Sequence, residues 1–210
     1  APRRAMLRHY ASPHDALPRT QLLSNGRYAV MLTAAGSGYS RWRDLAVTRW
    51  REDATCDAWG TYVFLRDAHS GAVWSAGYQP SGVEPDSYQV EFSEGRAEIA
   101  RRDGAIVTTL EGVVSAEDDA EVRRVSIANR DSRAREIELT SYAEVVLAPA
   151  AADAAHPAFA NLFVHTELVA DVGVLLATRR RRSPGEPEIW AAHLAVVEGE
   201  AVGAGQCETD

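Results

Sequence analysis

Lysine is missing altogether: all 22 basic residues are arginine, and 30 acidic residues leave a formal net charge of −8. That balance excludes nucleic acid as the main partner, because phosphate-backbone binding needs a clustered basic face. Cysteine is scarce. Cys56 and Cys207 are the only two, too few for a disulfide framework and in keeping with a reducing compartment. No run approaches the roughly 18 apolar residues that a membrane-spanning helix needs, and no signal peptide opens the chain. The six histidines, His9, His14, His69, His156, His165 and His193, show no metal-ligand spacing, so no metal site is expected. "GSGYS" (36–40) lacks the central serine of a nucleophile elbow and the Gly-Lys-Ser/Thr ending of a phosphate loop.

What is present is alternation. The 210 residues are 46% hydrophobic and 25% charged, ordinary for a globular chain with a sizeable core. Period-two patterning is broken by turn residues every 8–14 positions, which is the all-β signature. Asn25-Gly26 between two apolar arms predicts a hairpin. "SYQVEFSEGRAEIARRDGAIVTTLEGVVSA" (87–116) reads as three strands turning at Glu94-Gly95 and Asp103-Gly104, with Tyr88, Val90 and Phe92 on one face. Residues 120–147 read as a long hairpin around Asn129–Ser132. In its second arm Ile137, Leu139, Ser141, Ala143, Val145 and Leu147 form a buried row. The Ala-rich stretch between Pro149 and Pro157 is expected to make one helical turn, and "RRRRSPGEPE" (179–188) a solvated hairpin tip. About a dozen long antiparallel strands imply a large all-β sandwich. Residues 1–210 form one domain, with 1–14 as a leading segment. The opening "APRRAML" and the ending "GQCETD" suggest a piece of a longer multidomain chain.

Two stretches carry candidate chemistry. Residues 34–53, "AAGSGYSRWRDLAVTRWRED", crowd Tyr39, Trp42, Trp50 and four arginines around a glycine loop. This suits either aromatics closing a sandwich or a loop whose rings stack on sugar faces. "DAAHPAFANLF" (153–163) reads as a loop exposing Phe159 and Asn161, which needs a ligand, a partner or its own sandwich to cover it. Glu52, Asp53, Asp57 and Asp67 could pair for acid–base work on a glycoside, but acids flanking strands are more often solvated or paired with arginine. No histidine pairs convincingly with a glutamate, which counts against mutarotase-like epimerase chemistry.

"LLSNGRYAVMLTAAGSGYSRWRDLAVTRWREDATCDAWGTYVFLRD", "AEVRRVSIANRDSRAREIELTSYAEVVLAP" and "HPAFANLFVHTE" resemble the segment before the phosphorylase-like barrel of cyclic β-1,2-glucan synthases. The likeness extends to the phosphorylases of glycoside hydrolase family 94 and covers about residues 15–210. It implies a galactose-mutarotase-like β-supersandwich with little helix, carrying no catalytic residue of its own. The barrel domain of the same chain would hold the catalytic acid, and inorganic phosphate would serve the full module. The resemblance further implies a homodimer, β-1,2-glucan as the carbohydrate, and a cytoplasmic position within an inner-membrane protein, with no membrane insertion by this segment. The segment His156–Asn161 matches the loop that family members send towards a sugar site. Here it would offer stacking by Phe159 and a hydrogen bond from Asn161. Tyr39 and Trp42 would lie near the assembly face, serving either an interface or the glucan. A free-standing carbohydrate-binding module is the alternative.

Overall fold

The computed structural model describes residues 7–51, 59–199, 201, 203 and 205–209. Among them run β1 (Arg8–Tyr10), β2 (Thr20–Ser24), β3 (Tyr28–Thr33), β4 (Gly38–Trp42), β5 (Leu45–Thr48), β6 (Thr61–Asp67), β7 (Val73–Ser75), β8 (Ser87–Phe92), β9 (Ala97–Asp103), β10 (Ile106–Val114), β11 (Glu121–Asn129), β12 (Ile137–Ala143) and β13 (Val145–Pro149). Two short helices follow, α1 (Ala150–Ala155) and α2 (Pro157–Asn161), and then β14 (Val164–Val169), β15 (Val174–Arg179) and β16 (Trp190–Leu194). The expected all-β class holds, although the strands are shorter and more numerous than the alternation implied.

All pairings are antiparallel, in four sheets ordered β1-β8-β9-β10-β11, β13-β5-β4-β3-β2, β12-β6-β7 and β14-β15-β16. The two five-stranded sheets face each other. Tyr28, Val30 and Leu32 of β3 meet Tyr88, Val90 and Phe92 of β8, Ile99 of β9, and Ile106 and Leu110 of β10, with Leu65 and Trp74 closing one side. Each set alternates along its strand because successive Cβ atoms point to opposite faces. The predicted turns are present: Gly26 (φ 90°) follows β2, and Gly104 (φ 61°) links β9 to β10. The Asn25 side chain shapes the first, accepting from the backbone N–H groups of Arg27 and Tyr28.

Three expectations change. Residues 120–147 are not a hairpin: β11 pairs with β10, whereas β12 pairs with β6. Arg135 ties the crossing segment to Asp67 at the end of β6 (2.8 Å) as well as to Asp131, so the chain changes sheets instead of folding back. The second arm is also split. Between Val145 and Ala148 two residues face Val47, a bulge that places Leu147 at φ 50°. Leu147 is buried there, but Leu139 on β12 is exposed, so the buried row does not run the length of the arm. Finally, residues 150–161 form two helices where one turn and a loop were expected.

The glycine loop at 36–40 also behaves differently from a ligand loop, because residues 33–38 are all buried. Gly36 (φ 94°) lies against Gly77, and a Cβ on Gly38 would fall 1.9 Å from the Met31 carbonyl oxygen. The Ala35 carbonyl accepts from the N–H groups of Tyr78 and Gln79. This glycine pair lets two backbones touch inside the sandwich.

Candidate functional site

The aromatic and polar candidates divide into two places. Trp42 ends β4 beside the first turn. Its Nε1 donates to Asp119 (2.6 Å), which also accepts from Arg27 Nε (2.7 Å), and the Arg43 guanidinium lies 4.8 Å from the ring centroid. The hydrogen bond from Arg27, then that from Trp42, holds the Asp119 carboxyl below its ordinary value. Both the polar edge and a face of this indole are therefore engaged within the fold.

Tyr39, at the other end of β4, packs edge-to-face on Trp50 with centroids 5.7 Å apart. Trp50 follows Arg49 directly, and Arg49 organises the second place. Its side chain is 6% exposed and forks onto Asp153 through Nε (3.0 Å) and Nη2 (2.9 Å). It also donates to Glu144 and to Asn161 Oδ1. Those partners lie between β12 and β13, in α1 and at the end of α2, so one guanidinium fixes the whole helical excursion. The hydrogen bonds that Arg49 donates to Asp153 lead the effects raising its pKa, against the cost of burial. Such bidentate charge-assisted pairing is what makes a buried arginine tolerable.

A second arginine holds the same segment. Arg179 Nη1 donates to the carbonyls of Val146 (3.0 Å) and Ala160 (3.1 Å). With Ala160 buried and Asn161 tied to Arg49, the outer face of α2 is left to solvent. Phe159 there is 59% exposed and Leu162 is exposed too. Phe159 leans on Phe163 with centroids 5.6 Å apart. His156 is exposed, and its backbone carbonyl accepts from Ala160. The structure thus groups His156, Phe159 and Asn161 on one edge, with Tyr39 at the same end of the β4–β5 hairpin and Trp42 at the opposite end.

Sequence reasoning passed over Arg49, Asp153 and Phe163. The available signal was slight: Asp153 is the lone charge within Ala150–Ala155, and Arg49 continues an alternating strand.

The acids weighed for catalysis do not assemble a pair. Glu52, Asp53 and Asp57 lie outside the described residues. Asp67 accepts from the backbone N–H groups of His69 and Ser70 and from Arg135, a turn-building role. Histidine–glutamate contacts do form, contrary to the sequence reading: His14 Nε2 lies 2.9 Å from Glu84, and His9 Nδ1 3.7 Å from Glu91. The first pair is solvent-exposed; in the second Glu91 is half-buried and also receives Arg96 (3.1 Å). His9, Tyr10, Gln89, Glu91 and Glu98 border a shallow groove of about 280 Å³. Its acid and base touch each other, so they do not flank a sugar between them. Among the described residues, no group of three or more His, Cys, Asp or Glu side chains could hold a metal ion, and no helix is long and apolar enough to cross a membrane.

Comparison with known proteins bears on the family of this fold. Over 191 residues, 91% of its length, the chain is 43% identical to the cyclic β-(1,2)-glucan synthase NdvB of Rhizobium meliloti (strain 1021), of which it covers 7%. It is 28% identical to the N,N'-diacetylchitobiose phosphorylase of Vibrio furnissii over 67% of the chain, and 25% identical to the solabiose phosphorylase of Paenibacillus borealis over 68%. It spans 18% of each phosphorylase. The supersandwich domain of glycosyl hydrolase 94 matches residues 3–210. With a sandwich fold, a long match to that domain and relatives that process glycosides, the chain belongs to the glycosyl hydrolase 94 supersandwich family.

Proposed function

We propose that this chain is the accessory sandwich of a larger glycoside-processing protein, carrying a sugar-facing edge but no reacting groups. The carrying observation is the α2 edge: an exposed Phe159 on a short helix that two arginines, Arg49 and Arg179, lock to the sheets. A rigidly mounted aromatic face is suited to stacking on a pyranose ring. Asn161, whose carbonyl oxygen is taken by Arg49, offers its amide nitrogen to a hydroxyl; exposed His156 immediately precedes α2, and Tyr39 would join through Trp50, the neighbour of Arg49. Trp42 is the weakest of these contacts because Asp119 and Arg43 already occupy it.

The carbohydrate is a β-1,2-glucan, a reading supported by the likeness to the glucan synthase. The catalytic acid belongs to a barrel elsewhere in the same polypeptide, with inorganic phosphate as a co-substrate of that module. An inverting transfer needs an acid on one face of the sugar and a nucleophile on the other, and the described residues assemble no such pair. The exposed apolar side chains of β12, β14 and β16, with Leu139, Tyr142, Leu168, Trp190 and Leu194, supply a face for that barrel or for a second copy in a homodimer. The parent would be an inner-membrane protein with this domain on the cytoplasmic side, a placement that the two scattered cysteines favour.

The test is an assay for glucose 1-phosphate after the purified chain is incubated with a β-1,2-linked oligosaccharide and phosphate. No product is expected; sustained release would refute the accessory reading.

A further inference from the structure

As expected, the run Arg179–Arg182 opens the exposed hairpin connection between β15 and β16, but three of its guanidiniums gather on one ring. The guanidinium carbons of Arg179, Arg180 and Arg182 lie 5.5, 5.1 and 5.2 Å from the centroid of one ring, Phe163. Backbone pairing fixes the arrangement, because the Arg180 N–H donates to the Phe163 carbonyl (2.8 Å). Three like charges around one ring repel, and a single aromatic face offsets only part of that.

The natural remedy would be carboxylates, yet among the described residues none lies within ion-pairing distance of these guanidiniums. Glu186 is spent on the Arg182 backbone N–H (2.6 Å), Glu188 on the Trp190 indole (3.1 Å), and Asp153 on Arg49. Arg179 meets only neutral carbonyls, and its buried Nη2 has no hydrogen-bond partner. Burial, and then repulsion from Arg182, push the Arg179 pKa down from its ordinary value, against a smaller opposing pull from the Asp153 and Glu186 carboxylates. Among the described residues the cluster therefore has no direct carboxylate partner, and Asp153 and Glu186 compensate its charge only in part.

We propose that Arg179, Arg180 and Arg182 around Phe163 form a receptor for a phosphate-type oxyanion, either free phosphate or the phosphate of a sugar ester. Guanidinium forks match the oxygens of such an anion and bind it through charge-assisted hydrogen bonds. Phe159, exposed and 5.6 Å from Phe163, places a ring face beside the anion where an attached sugar would lie. The anion site on the three arginines stands independently of the sugar-facing role argued above, whereas the placement of an attached sugar on Phe159 rests on it.

The test is thermal unfolding of the 210-residue chain at constant ionic strength. Inorganic phosphate replaces chloride in one arm, and glucose 6-phosphate in the other. A saturable rise in Tm is expected. Arg180 and Arg182 are exposed, so the double variant Arg180→Gln, Arg182→Gln should fold and should weaken the response at least about tenfold. Arg133→Gln, an exposed arginine elsewhere, should leave it unchanged. Phe159→Ala identifies the source: weakening confined to the glucose 6-phosphate arm indicates the ester, whereas equal and unaltered arms indicate free phosphate. A rise no larger than chloride gives, or one that persists in the double variant, overturns the proposal.

Discussion

Arg49 shows how much of this structure depends on single buried charges. Asp153 is 3% exposed, so removing its partner would strand a carboxylate away from water. Arg49→Ala is expected to cost about 3–5 kcal/mol in chemical denaturation and to release α2, which limited proteolysis near Phe159 would report. Glu121 is a second case. Burial alone would raise its pKa, but Arg123 and the hydroxyls of Ser40 and Tyr28 outweigh burial and hold it below the ordinary 4.5. A depressed carboxyl stabilises the fold fully above its unfolded-state value and loses that effect as pH falls through its native value. Stability should therefore decline below about pH 4.5, and Glu121→Gln should flatten part of that decline in pH-dependent melts. Asp67, Asp119 and Asp131 are depressed as well, so some acid sensitivity should remain; an unaltered slope would remove Glu121 from the account. Trp42→Phe separates structure from ligand contact. Loss of the bond to Asp119 should cost about 1 kcal/mol while any sugar affinity is retained.

At the scale of elements, the strands and turns were the legible part. Asn25-Gly26 and Asp103-Gly104 state their turns because few other residues accept the backbone angles required. Tyr88, Val90 and Phe92 state their shared face because a strand alternates. Partner choice was not legible. β11 and β12 look like a hairpin locally, but their long-range ladders, β11 with β10 and β12 with β6, place them in different sheets. The glycine loop failed for a related reason: Gly36 and Gly38 are explained by Gly77 and Met31, neighbours that local sequence does not reveal. Gly38→Ala measures this directly. Its Cβ would overlap the Met31 carbonyl, so the variant should lose several kcal/mol or fail to fold, whereas Gly26→Ala, with open space around it, should cost about 1 kcal/mol for its positive φ.

For the whole molecule, the two facing five-stranded sheets bury a conventional core, while β12, β14 and β16 keep much of their apolar surface in water. Trp190 at 54% exposure exemplifies this. An isolated domain seldom leaves such a face uncovered, and the chain spans only 7% of its glucan-synthase relative. The α2 edge proposed to face sugar was partly legible as an exposed feature, since Phe159 and Asn161 stood out in sequence. The buried arginine that mounts them did not, because an arginine in an alternating strand reads as a solvated residue. The central claim is that this edge is preformed and receives a glucan. Calorimetric titration of the chain with β-1,2-linked glucooligosaccharides, beside its Phe159→Ala variant, tests that most directly. The account predicts saturable heat that weakens at least about tenfold on loss of the ring; a flat wild-type titration, or equal binding by both proteins, would contradict it.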